Sequence, residues 1–389
     1  MTILSAHILV VDDVPDNRNI LVRRLQRLGY TNLAEAEDGI AALEHIRAGT
    51  VDLVLLDVMM PRMNGIEVLQ ALNSEARLEQ TSVIMISASS EIDTVVRCLE
   101  LGAEDYLPKP FNASILRARI GSVLEKKQLR AEVRRQLTRL EAEMAGARRQ
   151  QLAMVPTDFP LPGGRYDLHA IMRPALEVGG DLYDFFPIAE DTLCLAIGDV
   201  SGKGMPAALF MARTRSLLRA GALQHHGISG RLPSPAELAA LLNDELCKNN
   251  DACLFVTLVA GFLHLPSGTF RFVNAGHLPP IRCRRGHVEE LPGVIDPPLG
   301  AMEETAFRDN EVVLQPGDGL VLITDGLSEM ENSARSMYST PRLLDDLRAL
   351  PHSDARAMAE HLVLRVFDHA ESAPQFDDVT ILALRLAEN

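Results

Sequence analysis

Two periods of apolar spacing alternate through the first 120 residues. Strand-length apolar runs at 7–11, 53–56, 83–87 and 105–107, with a weaker one at 33–36, are separated by stretches at 17–28, 40–46, 66–72 and 92–101 whose apolar residues recur every three or four positions. This alternation predicts an α/β doubly wound domain with a five-stranded parallel sheet. Functional groups of such a sheet collect at the carboxyl ends of its strands, which here carry Asp12 and Asp13, then Asp57, Ser87 and Lys109.

The pattern changes after residue 156. Strands are expected at 166–172, 181–186, 192–199, 254–264, 269–274, 288–291, 307–314, 319–324 and 379–386, and helices at 205–222, 235–248, 341–350 and 355–370. Many strands with few helices predict an α+β domain, two stacked sheets flanked by helices. Between the domains, from about Ile115 to Pro156, the chain contains no proline and can run as one helix. Val133, Leu137, Leu140, Met144, Ala147 and Gln151 recur there at alternating steps of four and three, a heptad seam suited to a two-stranded coiled coil and hence a homodimer. A helix docked on one of the chain's own acidic domains is the alternative. The expected organisation is a first domain over 1–120, a helical linker over 121–155 and a second domain over 156–389.

Charge adds a constraint. The net charge is −15, yet residues 121–155 hold eight basic and four acidic side chains, so a basic segment lies between two acidic bodies. An acidic protein without a basic face is a poor nucleic-acid binder. The five cysteines form no CxxC pattern, which argues against a disulfide framework or a zinc site. No apolar run approaches membrane-span length and no signal peptide is evident, so a cytoplasmic protein without membrane partners is expected.

The candidate chemistry lies in two groups of carboxylates. In the first domain Asp12, Asp13 and Asp57 would converge at one sheet edge, where an oxygen-ligated Mg²⁺ relieves their repulsion and Lys109 can pair with a phosphoryl group. In the second, Leu195-Ala-Ile-Gly-Asp-Val-Ser-Gly-Lys-Gly204 delivers Asp199 from an apolar strand into a turn of small residues. It lacks the residues of a phosphate-cradling P-loop, and taken alone it reads equally as an ordinary turn. Asp181, Asp325 and Asp377 occupy comparable positions beside strands. An all-carboxylate set favours Mg²⁺ or Mn²⁺, and a pair of such ions suits phosphate-monoester hydrolysis.

These residues carry two resemblances. Residues 5–120 resemble a response-regulator receiver domain, including the Met-Pro-Arg-Met-Asn-Gly run at 60–65. That likeness implies Asp57 as phosphoacceptor, Asp12, Asp13 and the Met59 carbonyl as Mg²⁺ ligands, Ser87 and Tyr106 as switch residues, Lys109 followed by a cis peptide to Pro110, and a cognate histidine kinase as partner. Gly179-Gly-Asp-Leu-Tyr-Asp184, Gly198-Asp-Val-Ser-Gly-Lys-Gly204, Asn274-Ala-Gly-His277, Thr324-Asp-Gly-Leu327 with Glu329, and Asp377-Asp-Val-Thr380 resemble the PP2C-type serine/threonine phosphatases of the bacterial sporulation and stress-response branch. The likeness implies that Asp199 bridges two Mn²⁺ or Mg²⁺ ions assisted by the Val200 carbonyl, that Asp325 and Asp377 complete one site, and that Asp181 serves the other. It implies a phosphoserine or phosphothreonine protein as substrate, such as an anti-sigma-factor antagonist. Arg173 and Lys203 are positional candidates for contacting phosphate, each readable as a surface charge. His277 is readable as an acid or as a histidine bonded within its loop. A phosphorylation-gated module that holds its partner without hydrolysis is the alternative function, against which four intact carboxylates weigh; a DNA-binding output fits the charge poorly.

Overall fold

The computed structural model describes residues 3–88, 92–110, 112–159, 164–284, 286–350 and 354–388. The chain forms two compact units, Met1–Leu140 and Glu141–Asn389. Among the described residues no helix is long and apolar enough to cross a membrane.

In the first unit β1 (Ile8–Val11), β2 (Leu33–Ala36), β3 (Leu53–Asp57), β4 (Ser82–Ser87) and β5 (Asp105–Pro108) form a parallel sheet in the order β2-β1-β3-β4-β5. The helices are α1 (Pro15–Arg27), α2 (Gly39–Ala48), α3 (Gly65–Ser74), α4 (Ile92–Glu100) and α5 (Ala113–Leu152). The central strands read as unbroken apolar runs because both faces are covered. Leu9, Val11, Val54, Leu56 and Met85 face α2 and α3, whereas Ile8, Val10, Leu53, Leu55 and Ile84 face α1 and the first turns of α5, through Leu116, Ile120 and Leu124. Strand order reverses direction at β1 and β3, which places Asp12 beside Asp57 at the carboxyl edge.

The second unit opens with the end of α5. Its first sheet has the order β13-β10-β9-β8-β7, from β7 (Leu182–Ala189), β8 (Thr192–Val200), β9 (Val256–His264), β10 (Thr269–Ala275) and β13 (Asn310–Val313). Its second has the order β12-β11-β14-β15-β6, from β6 (Tyr166–Arg173), β11 (Ile281–Arg284), β12 (His287–Glu290), β14 (Gly319–Ile323) and β15 (Val379–Leu386). Every pairing within these two sheets is antiparallel.

Alternation along β8 shows how the layers form. Leu193, Leu195 and Ile197 enter the core between the sheets with Phe270, Phe272, Leu322 and Leu384. Cys194, Ala196 and Val200 face outward against α6 (Met205–Ser229) and α7 (Pro235–Cys247). The outer face of the second sheet packs on α9 (Thr340–Arg348) and α10 (Ala355–Ala370) through Val321, Ile323, Ile381, Leu343 and Leu362. The result is the expected sandwich flanked by helices. Strand β11 and a single helical turn, α8 (Asp325–Ser328), were not anticipated, and α6 runs to Ser229 rather than ending at 222.

Candidate functional site

At the edge of the parallel sheet, one carboxylate oxygen from each of Asp12, Asp13 and Asp57 lies within 4.8 Å of the others. Lys109 Nζ donates to Asp12 Oδ2 at 2.6 Å and to Asp57 Oδ2 at 3.0 Å. Burial and the Asp12 charge raise the Asp57 carboxyl above its usual range, although the Lys109 bond and charge pull the other way. Burial works against the Lys109 ammonium, yet its bonds to Asp12 and Asp57 leave it above an ordinary lysine. Ser87 ends β4, fully buried, and its carbonyl accepts from the Lys109 N–H at 2.7 Å. Tyr106 lies in register with Met85 on the neighbouring strand and is buried, and Met59, two residues beyond Asp57, is exposed. The Lys109–Pro110 peptide is cis, as the sequence implied.

In the second unit Asp181 immediately precedes β7, Asp199 is the penultimate residue of β8, Asp325 opens α8 and Asp377 precedes β15. The neighbouring strands β7 and β8 carry the first two together, and β14 pairs with β15 to carry the others. Asp181 and Asp199 interact directly across these strands, and each carboxyl is harder to ionise there than in water. Burial, then the Asp199 and Asp378 charges, push Asp181 well above the carboxylate range. Asp199 is held up at about 7 by burial and by the Asp325 charge, and Asp325 is raised by burial and by Asp377. Glu329 is raised by burial, then by Asp325 and Asp377. The repulsion runs pairwise, Asp181 with Asp199, Asp199 with Asp325 and Asp325 with Asp377, and among the described residues no three of these carboxylates converge as closely as Asp12, Asp13 and Asp57 do. Their all-oxygen composition suits a hard divalent cation.

Close backbone approach completes it. A Cβ on Gly180 would lie 2.8 Å from the Val200 carbonyl oxygen and 3.3 Å from Asp199 Oδ1, so the bare glycine leaves those oxygens room. A Cβ on Gly326 would meet the Asp378 carbonyl at 1.9 Å, which makes glycine necessary for α8 to start against β15. Lys203 reaches the rim: its Nζ stands 3.1 Å from Asp377 Oδ2 and 2.5 Å from the Phe376 carbonyl, over the exposed Phe376 ring. Arg173 instead lies on the Phe367 ring at 4.9 Å.

The Asn-Ala-Gly-His motif supports this floor. Asn274 and His277 bond each other's loop in both directions, at 2.8 and 2.9 Å. His277 Nε2 meets the Ile323 carbonyl at 3.0 Å, so it carries the proton, and Nδ1 accepts from the Thr257 hydroxyl at 2.8 Å. Thr257 sits opposite Asp199 in the β8–β9 register. Burial drives the imidazole down to about 4, which keeps it neutral and bonded within its loop.

Three supporting residues were missed by the sequence reading. Asp378 accepts from the Ala175 N–H at 2.8 Å with one oxygen, and from Gly180 at 2.7 Å and Asp181 at 3.3 Å with the other. Thr324 donates its hydroxyl to Asp181 Oδ2 at 2.8 Å. Gln151, assigned to the heptad seam, is buried against Gly179. Adjacency to Asp377 and Asp325 was the available signal for the first two; nothing local marked Gln151.

Two family models match the chain: the response regulator receiver domain over residues 8–121, and stage II sporulation protein E over 189–387, a span that includes Asp199, Asp325 and Asp377 and begins just after Asp181. Protein IcfG of Synechocystis is 27% identical over 273 residues, covering 65% of this chain, so the match spans only 42% of that longer protein. The chemotaxis protein CheY of Pseudomonas aeruginosa is 37% identical over 119 residues, 31% of this chain and 96% of that protein. Among solved structures, the SiaA-PP2C domain of Pseudomonas aeruginosa superposes with a TM-score of 0.55 at 21% identity, covering 64% of this chain and 97% of that one, which is a likeness of fold. With the parallel-sheet acidic edge in one unit and the carboxylate cluster of the antiparallel sandwich in the other, the chain belongs to the stage II sporulation protein E family and joins a response-regulator receiver domain to a PP2C-type phosphatase domain.

Proposed function

We propose that this protein is a cytoplasmic response regulator in which phosphorylation of Asp57 controls a metal-dependent protein serine/threonine phosphatase. The observation that carries the reading is the group of Asp181, buried, and Asp199 and Asp325, half-buried, each raised by desolvation and by a neighbouring carboxylate. A fold gains no stability from such repulsion, and cation binding explains why it is built.

Asp199 occupies the centre, with the Val200 carbonyl beside it. Asp325 and Asp377 serve one ion and Asp181 the other, each Mn²⁺ or Mg²⁺. Such ions polarise a phosphoryl oxygen and lower the pKa of water. The chain supplies rigidity: Thr324 orients the Asp181 carboxylate, and the neutral His277 ties β14 to Thr257 beneath Asp199. Lys203, at the rim on a Gly-Lys-Gly turn, is placed to meet an incoming phosphate, and while it remains on Asp377 it offsets that carboxylate's charge.

In the receiver, Asp12, Asp13, Asp57 and the Met59 carbonyl would hold Mg²⁺. The Asp57 carboxylate attacks phosphorus on a kinase phosphohistidine, the P–N bond breaks and an acyl phosphate forms. Lys109 already bonds Asp57 and is placed to pair with the added charge, while Ser87 and Tyr106 respond to it. The substrate class that fits the family is a phosphoserine or phosphothreonine partner-switching protein such as an anti-sigma-factor antagonist. A homodimer through α5 fits its exposed Val133, Leu137 and Leu140.

The test compares Mn²⁺-dependent hydrolysis of a phosphoprotein with and without acetyl phosphate. Asp199→Ala is expected to remove turnover, since uncatalysed phosphate-ester hydrolysis is so slow that acceleration reaches about 10²¹-fold. Asp57→Ala is expected to abolish phosphate incorporation and the response to acetyl phosphate. Normal Mn²⁺-dependent turnover in Asp199→Ala would refute the site, and labelling that persists in Asp57→Ala would move the acceptor elsewhere.

A further inference from the structure

The loop that presents Asp181 contains two glycines and has its backbone held almost entirely by side chains from elsewhere. The Gly180 and Asp181 N–H groups go to Asp378. The remaining residue, Gly179, is held by Gln151: its N–H donates to Gln151 Oε1 at 3.0 Å, and its carbonyl accepts from Gln151 Nε2 at 2.6 Å. One carboxamide thus satisfies both polar groups of one peptide residue. Gly179 can fit there because a Cβ would lie 2.0 Å from Asp378 Oδ2. The glycine is pinched between an amide on one side and a carboxylate on the other.

The origin of that amide matters. Gln151 belongs to the last turn of α5, all of it within the second unit from Glu141 onward. From Glu125 to Gln150 the side chains of α5 are exposed or half-exposed, and Gln151 is the first buried one, only 6% exposed. Just beyond it Val155 enters the core between the sheets, and the Pro156 carbonyl accepts from the Tyr183 hydroxyl at 2.7 Å. Because successive helical residues point about 100° apart, a small rotation or a shift by one residue at the end of α5 would withdraw the carboxamide entirely.

We propose that Gln151 is the positioning residue for Asp181, so that the seating of the last turn of α5 sets how well the phosphatase unit binds its divalent cations. The inference rests on the metal-site reading given above. Partners that orient a metal ligand without touching the metal commonly control affinity by about 10- to 100-fold. Gln151 acts one step further out, on the backbone two residues before the ligand, and its double bond to Gly179 transmits helix position directly to that backbone.

The experiment uses the full chain with two substitutions, Gln151→Met, which keeps the volume and loses both bonds, and Gln151→Glu, which keeps the acceptor and loses the donor. In the metal-free proteins, hydrogen exchange of the Gly179–Asp181 amides is expected to accelerate about tenfold or more in both variants, with β8 and β9 unchanged. The Mn²⁺ concentration that gives half-maximal hydrolysis of p-nitrophenyl phosphate should rise about 10- to 100-fold, and saturating Mn²⁺ should restore most of the turnover. Wild-type exchange and wild-type half-saturation in Gln151→Met would overturn the proposal. So would turnover lost at every Mn²⁺ concentration with half-saturation unchanged, because that is the signature of general damage. A wild-type chain whose hydrolysis needs no divalent cation would instead refute the metal-site reading itself, a failure recognised without either variant.

Discussion

At the scale of single residues, the second unit contains two kinds of titrating group that respond oppositely to acid. His277 is fully buried and held down at about 4, below the ordinary value near 6.5. Between those limits the unfolded chain binds a proton that the folded chain refuses, so the His277 contribution is complete above about pH 6.5 and is lost as pH falls toward 4. The lost amount is on the order of 3 kcal/mol, from about 1.4 kcal/mol per unit. Asp199, held up at about 7, works against this in the metal-free protein: its folded form keeps a proton that the unfolded form has released, so stability falls as pH rises through the same window. The net profile therefore conceals both. The expected result is that His277→Gln, compared with wild type by urea denaturation at pH 5 and pH 8, is relatively more stable at pH 5 by about 2 kcal/mol. Equal differences at the two pH values would show that His277 does not resist protonation.

At the scale of elements, the neighbouring aspartates at the start of β15 divide the work. Asp378 receives three backbone N–H groups, and Asp377 adds charge to the carboxylate cluster. Asp378→Asn turns one acceptor oxygen into a donor facing donors, and a cost on the order of 1–3 kcal/mol is expected in thermal or urea unfolding. Asp377→Asn can keep its bond to the Asp378 N–H and removes repulsion, so metal-free stability should hold or rise while Mn²⁺-dependent turnover falls. Equal destabilisation by both would contradict this division. From sequence the two residues looked alike, because pattern identifies a carboxylate beside a strand but not the direction in which it points. The same limit explains the other misses. Ile281-Arg-Cys-Arg284 alternates over only four residues, too short a run to announce β11, which exists because β12 and β14 flank it. The final turns of α6 are largely exposed, with Ile228 at 79%, so the core-facing period that marks the helix fades before the helix ends at Gly230 in the left-handed region. By contrast β1, β3, β4, β8 and β15 were legible because burial of both faces, or strict alternation between two cores, leaves its mark on every residue. The four aspartates of the proposed metal site stand in sequence motifs that single them out; the amide and hydroxyl groups around them were not marked, since those contacts join residues far apart in sequence.

At the scale of the whole molecule, α5 crosses the boundary between the two units and is the covalent route by which phosphorylation of Asp57 would reach the phosphatase unit. Its first turns are fixed in the receiver unit by Leu116, Ile120 and Leu124 in the core and by ion pairs from Arg119 to Asp105, Lys126 to Glu104 and Lys127 to Asp52. Each pair keeps at least one partner open to water, so the apolar contacts do most of the holding. The middle of the helix carries Val133, Leu137 and Leu140, each more than half exposed, at the spacing of a seam. Solvated leucines at that spacing gain burial if two chains pair, and pairing would make the setting of each helix depend on the other. A coupling of the usual size, about 1–3 kcal/mol, would change activity between several-fold and about a hundredfold on phosphorylation. Replacing Leu137 and Leu140 together with Asp would place unpaired charge in a paired seam and leaves the receiver core and the carboxylate cluster untouched. The double variant should therefore sediment as a monomer, take up phosphate at Asp57 as wild type does, keep its Mn²⁺-dependent turnover of a small phosphoester, and lose the change in turnover on acetyl phosphate. If it sediments like wild type and still responds to acetyl phosphate, the seam is not an interface between copies, and the signal must pass along α5 within one chain.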